Sequence, residues 1–386
     1  MQTKRTPFPL APGPILNAGA LYLFFFMSMG AFSPFINIYY ERIGLSGVQI
    51  GTLSALGVVV GVSSAFPWGA VADRFRLHKP ILNGTLLVAT ILILLLSRAP
   101  DFRSLVPLIL IYSLISSPIP SLLDSSALDV ARQFKSSYGA IRLWGSIGWA
   151  AATWLVGSLI ERSDIRWLFY SWMLLVGITF LFSLFQPART QILRAPLAQG
   201  LRGLIRRDTV LFLLSILLIA IASSGGNSFY GLFMKHIGAG EGMIGLASSV
   251  SAGFEVPLML FSGLLIRRFG SRRLLIGGFA LYVVRWFLAS LITTPLAAVL
   301  LNVIQGLAFA AYLTGGVTYF SERTPEGMAT TAQALYNTVT FGLASIAGSL
   351  LGGYLYDYAG ITNLFRVTAV LALAGLGLFL LIPRLT

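Results

Sequence analysis

Residues 51–82 read GTLSALGVVVGVSSAFPWGAVADRFRLHKPIL, and residues 245–276 read GLASSVSAGFEVPLMLFSGLLIRRFGSRRLLI. Each begins with an apolar run long enough to cross a bilayer, since about 20 such residues at 1.5 Å each span the ~30 Å hydrocarbon core. Each then passes into a short basic loop. Overlaid at an offset of 194 residues without a gap, Gly51 falls on Gly245, Gly69 on Gly263, Arg74 on Arg268, Phe75 on Phe269 and Lys79 on Arg273. A second pair of segments agrees, with Gly157 on Gly353 and Glu161 on Asp357 at an offset of 196. Two repeats at nearly one offset indicate a duplication. An even number of spans separates the copies, so both run in the same direction. Parallel six-helix halves place a substrate path between them, near the membrane midplane.

The composition requires a membrane. Hydrophobic residues make up 56% of the 386-residue chain and charged residues 10%, with a mean hydropathy of +0.83. A soluble chain of this length needs far more surface charge. The net charge of +14 would raise nucleic acid as a partner in a soluble protein. Here most Lys and Arg fall in short loops between apolar spans, so the bilayer explains them and no nucleic-acid partner is expected. With no cysteine, disulfides and thiolate metal sites are excluded, and no metal or cofactor is expected. His78 and His236 sit at loop edges and read as loop filler rather than ligands or membrane-embedded proton carriers. The basic N-terminal stretch carries prolines and runs into a long span, which argues against a cleaved signal peptide.

Twelve spans are expected near 16–40, 48–71, 80–97, 104–130, 139–160, 166–185, 209–234, 243–266, 273–292, 296–320, 329–355 and 361–382. The long basic loop 186–208, with Arg189, Arg194, Arg202, Arg206 and Arg207, divides six spans from six. The expected organisation is an N-terminal six-helix bundle over 1–185, a cytoplasmic linker over 186–208 and a C-terminal six-helix bundle over 209–386. With the N-terminus inside, 18 of the 27 Lys and Arg lie on the inner side and seven on the outer. That bias predicts cytoplasmic termini at both ends of a multi-pass chain in the cytoplasmic (inner) membrane.

Asp124 and Glu255 are the acidic residues expected well inside the spans. Ionised groups at that depth cost roughly 2.5–3.5 kcal/mol on insertion scales, so each needs a role. Glu255 lies twelve residues before Arg267, and Arg285 lies twelve residues after Arg273. Both are therefore about 18 Å above the same basic loop. Asp124 and Arg142 match each other in depth in the same way, above a loop holding Arg132 and Lys135. Each carboxylate is read either as one partner of a static bridge, Asp124–Arg142 or Glu255–Arg285, or as a proton carrier whose surroundings change as a cavity opens. Pro257 and Gly253 can loosen the helix around Glu255. Candidate substrate contacts are Asn227, Tyr230, Gln305, Tyr312 and Trp144, all of which can also serve as packing or interhelical bonding. Glycine-rich stretches such as 342–348 read as close helix packing, because they lie within spans and lack a phosphate-loop lysine.

Gly69-Ala-Val-Ala-Asp73-Arg74-Phe75 resembles the inner-loop signature of the major facilitator superfamily, with a degenerate copy at Gly263–Arg268–Phe269–Gly270. The resemblance extends over all twelve spans. Pro120–Asp124, Tyr138–Gly148, Glu255-Val-Pro257 and Ala332–Tyr336 resemble the branch that holds phenylpropionate permeases and nucleoside and sugar symporters. Where that branch often has histidines in the tenth span, this chain has Gln305 and Leu313. A titrating imidazole is thus unavailable there, and Gln305 could act only as a neutral donor and acceptor. The resemblance implies an all-α membrane protein of two parallel-repeat six-helix bundles, working as a monomer. It further implies a secondary transporter, most often a proton symporter, whose halves rock about a cavity lined by spans 1, 4, 7 and 10, with span 9 peripheral. Gly69, Asp73 and Arg74 are expected to form a conformational latch, since a carboxylate at a span end can face helix N-termini or basic loops in one conformation only.

The expected function is proton-coupled uptake of a small organic solute such as an aromatic acid, nucleoside or sugar. Drug/proton antiport is the alternative, and a membrane-embedded enzyme or lipid scramblase a distant one. The chain is not expected to be an enzyme, because no HExxH, GxSxG, cysteine or soluble catalytic domain is present.

Overall fold

The computed structural model describes residues 13–134, 136–186, 207–325 and 328–383. Linker residues Arg189, Arg194, Arg202 and Arg206, together with Lys4, Arg5, Lys135 and Arg384, lie outside the described residues. The fold is all-helical. The first span is α1 (Pro14–Phe32) and α2 (Ile36–Arg42), followed by α3 (Gly47–Phe75) and α4 (His78–Leu96). The fourth span is α5 (Phe102–Ser116) and α6 (Ile119–Gln133); α7 (Tyr138–Arg162) and α8 (Trp167–Leu184) complete the first half. The second half holds α9 (Arg207–His236), α10 (Glu241–Phe269), α11 (Ser271–Ala289) and α12 (Pro295–Ser321). Its eleventh span is α13 (Ala329–Asn337), a π-helical turn (Thr338–Leu343) and α14 (Ala344–Ala359), and α15 (Ile361–Leu380) is the last.

Among the described residues, eleven segments are long and apolar enough to cross a membrane. The remaining long helix, α11 in the place of the ninth span, carries Arg272, Arg273 and Arg285, and packs against α12 and α15. Two expected single helices are interrupted at prolines. The first breaks at Ser33-Pro34-Phe35 and the fourth at Ser117-Pro118, where the missing proline N–H removes a helical hydrogen bond.

The duplication is visible in the backbone. The bounds of α3 and α10 differ by the same 194 residues at both ends. The turns before them place Gly44 and Gly238 at one φ of 86°. In the turns after them, Gly270 (φ 83°) has as its counterpart Arg76, which takes φ 56° without being glycine. Arg74 lies over the Phe75 ring at 5.9 Å and Arg268 over the Phe269 ring at 5.4 Å, so the repeated pair also repeats its contact.

The two halves meet through α3 against α14 and α10 against α7. The contacts are backbone on backbone, at the glycines that revealed the repeat. A Cβ at Gly51 would run into Ser349, one at Gly353 into Gly47, one at Gly157 into Glu241 and one at Gly245 into Thr153. All of these contacts lie toward the end of the bundle that carries loops 43–46 and 237–240. Toward the other end the helices separate. The buried residues of α10 are Glu241, Ile244, Gly245 and Ala247, all in its first two turns, while Gly69, Gly253 and Gly263 have no neighbour within 4 Å of a Cβ position. The structure is sealed at one end and splayed at the other.

Candidate solute-binding and proton-coupling site

Between the halves lies a cavity of about 640 Å³, within the usual size range for small-molecule sites. The first half contributes Phe26, Asn37, Arg142 and Trp149, and the second Asn227, Glu255, Asn302, Gln305 and Phe309. The charged residues among the described lining are Arg142, Glu255 and Arg285.

Glu255 sits mid-helix in α10. The α12 backbone comes close enough that a Cβ at Gly306 would lie 3.0 Å from the Glu255 nitrogen. That contact holds the α10 backbone at Glu255 against α12.

Arg285 is 1% exposed and makes no ion pair with Glu255 among the described residues. Its Nη1 donates to Asn227 Oδ1 at 3.0 Å, and its guanidinium lies 3.9 Å from the Trp286 ring centroid and 4.9 Å from that of Tyr230. Stacking on ring faces supplies a desolvated cation with about 2 kcal/mol per good contact. The depth match between Glu255 and Arg285 therefore does not become a bridge, because the guanidinium is taken up by Asn227 and the two ring faces. The ninth span, expected at the periphery, reaches the cavity wall through this residue.

The Asp124–Arg142 pairing is also not formed. Asp124 accepts hydrogen bonds from the hydroxyls of Tyr22 and Tyr138, the latter at 3.1 Å. Arg142 instead lies over Phe26 at 4.8 Å and Tyr22 at 5.9 Å. It faces the cavity from the half opposite Glu255. Asp124 is not among the lining residues, and the fourth span contributes none of them.

The candidate contacts divide. Asn227, Gln305 and Tyr230 line the cavity. Asn227 is exposed there, and its Oδ1 is taken by Arg285 while its Nδ2 lies 3.1 Å from Ser223 Oγ. One of its two N–H groups is donated to Ser223, so it offers the other to a ligand. The Tyr230 hydroxyl is used internally, donating to the Ala298 carbonyl at 2.7 Å. Tyr312 is buried in the second half, with its hydroxyl 3.3 Å from Thr340 Oγ1. Trp144 packs on α1 at Gly19, and the α7 indole that lines the cavity is Trp149. Asn37 is a further lining residue that the sequence pattern does not single out. Its signal there is a lone amide three residues after the helix-breaking Pro34; its Nδ2 donates to the Ser228 carbonyl in the other half at 2.7 Å.

Asn227 gives a direct test of this wall. Asn227→Asp keeps an acceptor for Arg285 but removes the one donor facing the cavity. We expect the solute KM in vesicle uptake to rise about tenfold, the value of one lost hydrogen bond, with the amount of folded protein in the membrane unchanged.

At the splayed end, Asp73 is 2.8 Å from His78 Nε2. His78, read from sequence as loop filler, is thus part of the signature's local network. Gly69 has open space around it, and Arg74 stacks on Phe75.

Residues 15–367 match the MFS_1 like family. The chain belongs to that family. It is 30% identical to the maltose permease of Geobacillus stearothermophilus over 99% of this chain and 95% of the permease. It is 26% identical to a probable 3-phenylpropionic acid transporter of Escherichia coli K12, over 91% of this chain and 93% of that one. The fold matches the crystal structure of a point mutant of the nucleoside transporter NupG at a TM-score of 0.86 with 18% identity, covering 96% of this chain and 100% of that one. The protein is a multi-pass secondary transporter of small solutes in the major facilitator superfamily, and not an enzyme.

Proposed function

We propose that this MFS_1 like family transporter takes up a small polar solute of the sugar or nucleoside kind together with a proton. The observation that carries this reading is Glu255, the one carboxylate among the described residues of a cavity wall that also holds Asn37, Asn227, Asn302 and Gln305. The exposed Asn227 amide, the half-buried Gln305 and the aromatic faces suit a polyhydroxylated ring, and Arg285 is already engaged by Asn227 and two ring faces. The full-length similarity to a maltose permease agrees with a sugar. A second reading, an aromatic acid, is favoured by Arg142, which faces the cavity with no carboxylate bound to it among the described residues and could hold a carboxylate in a bidentate pair.

The Lys and Arg distribution supports cytoplasmic termini in the inner membrane, with halves over 1–185 and 209–386 joined by a cytoplasmic 186–208 linker. In that orientation the sealed end faces outward and the cavity opens inward. A proteoliposome panel of maltose, uridine and 3-phenylpropionate, with and without an inward proton gradient, tests the assignment. Gradient-stimulated uptake of maltose or uridine supports the first reading, and of 3-phenylpropionate alone the second. Stimulation by an outward gradient would make the protein an antiporter.

The Gly69–Asp73–Arg74 segment is assigned to the latch that closes the inner end when the outer end opens. Asp73→Asn is expected to lower turnover several-fold while leaving solute affinity within about twofold, the pattern of a residue that acts on the conformational step. Initial rates over a concentration series separate the two; a large affinity loss at normal turnover would make Asp73 a binding residue.

A further inference from the structure

Two carboxylates at the sealed end occupy equivalent places in the two halves. Asp357, near the end of α14, accepts the backbone N–H groups of Gly47 and Val48 at 2.6 and 2.8 Å, the first two residues of α3. Glu161, near the end of α7, accepts the N–H of Gly242 at 2.9 Å, the second residue of α10. Side-chain space at Gly240, just before α10, is taken up by the same Glu161 carboxylate. Each acid thus reaches from one half and caps the opening turn of a helix in the other. A helix N-terminus presents unsatisfied N–H groups and the positive end of the helix dipole, which a carboxylate satisfies. These acids are the pair that the sequence superimposes at an offset of 196 residues.

The surroundings reinforce the join. Glu241 at the start of α10 pairs with Arg42 of the first half and lies 3.1 Å from Lys235, and Tyr356 donates to Glu41 across the same seam. Both caps can form only where glycine lets the backbones touch, as Gly47 does beside Gly353 and Gly157 does beside Glu241.

We propose that Glu161 and Asp357 are symmetric positioning residues that hold the sealed end of the transporter shut, and that both caps must release before the cavity can open to that side. This rests on the reading above, in which the halves alternate and the sealed end faces outward. Neither acid lines the cavity, so their role lies in the conformational equilibrium and not in solute contact.

The chain has no native cysteine, so Ser248→Cys on the cavity wall supplies the one thiol. Its labelling by a membrane-impermeant maleimide is measured from outside in intact cells and from inside in inverted vesicles. Relative to the parent, Glu161→Gln or Asp357→Asn is expected to raise the outside rate about tenfold. Together they should raise it on the order of a hundredfold, since each takes the charge from one cap, weakening one bond at Glu161 and two at Asp357. Labelling from inside should fall. Glu161→Asp, which keeps the charge on a shorter arm, should lie between parent and Glu161→Gln and controls for misfolding. Outside labelling unchanged in the folded double variant overturns the proposal. A rise from outside without a fall from inside would leave the locks standing but would count against alternation of the halves.

Discussion

Replacing Glu255 with glutamine is expected to abolish solute accumulation driven by a proton gradient while leaving solute exchange intact. The prediction follows from position and chemistry together. Glu255 is the acidic side chain among the described residues of the cavity wall, and the two histidines stand at helix ends outside the cavity. Glutamine keeps the size and the hydrogen-bonding capacity of a protonated glutamate but cannot release a proton. For one proton per solute, a gradient of one pH unit supports up to about tenfold accumulation, because each unit is worth about 1.36 kcal/mol. In proteoliposomes with an acidic exterior, the parent should approach that ratio and Glu255→Gln should reach only unity. Counterflow of labelled solute should persist in both. Asp124→Asn should behave differently, since Asp124 holds the Tyr22 and Tyr138 hydroxyls and does not line the cavity. Its loss should lower protein level or turnover with the accumulation ratio retained.

The second large effect is expected at Arg142. It is the charged residue that the first half contributes to the described cavity wall, and it stands across from Glu255. Arg142→Gln removes donors that a solute oxygen can use and the cation facing the carboxylate. Hydrogen bonds to charged groups are worth about 1.5–3 kcal/mol, so kcat/KM should fall on the order of ten- to a hundredfold. Lysine should recover little of this, because it lacks the planar face that lies against Phe26 and Tyr22 and the fork of donors. If Arg142 served only to neutralise Asp124, combining Arg142→Gln with Asp124→Asn would restore activity. The absence of that ion pair among the described residues leads us to expect no restoration, and uptake by the double variant decides between the two.

The path of the chain was legible because membrane spans declare themselves by length and apolarity, and because the two halves kept the glycines at which they touch. Gly51, Gly157, Gly245 and Gly353 marked the repeat in sequence and proved to be the contact points of the interface. Glu255 was legible as a charge interrupting an apolar run. The partners of the charged residues were not. Distance along a helix gives depth, but not the direction in which a side chain leaves the axis. Arg285 therefore matched Glu255 in depth yet turned to Asn227 and two aromatic rings. Trp144 and Trp149 show the same limit. Five residues apart on α7, they point about 140° away from each other at roughly 100° per residue, so one packs on Gly19 and the other lines the cavity. Glu161 and Asp357 were visible as a repeated pair, but capping of a helix in the other half depends on tertiary docking that no local pattern encodes.

The measurement closest to the central claim is proton movement triggered by solute. Purified protein in proteoliposomes, with a pH indicator outside and no imposed gradient, receives a pulse of the solute selected by the uptake panel. Symport through Glu255 predicts a transient alkalinisation of the medium as protons enter with the solute, and no signal from Glu255→Gln at equal protein. Acidification of the medium, or an alkalinisation that persists undiminished in Glu255→Gln, would contradict it.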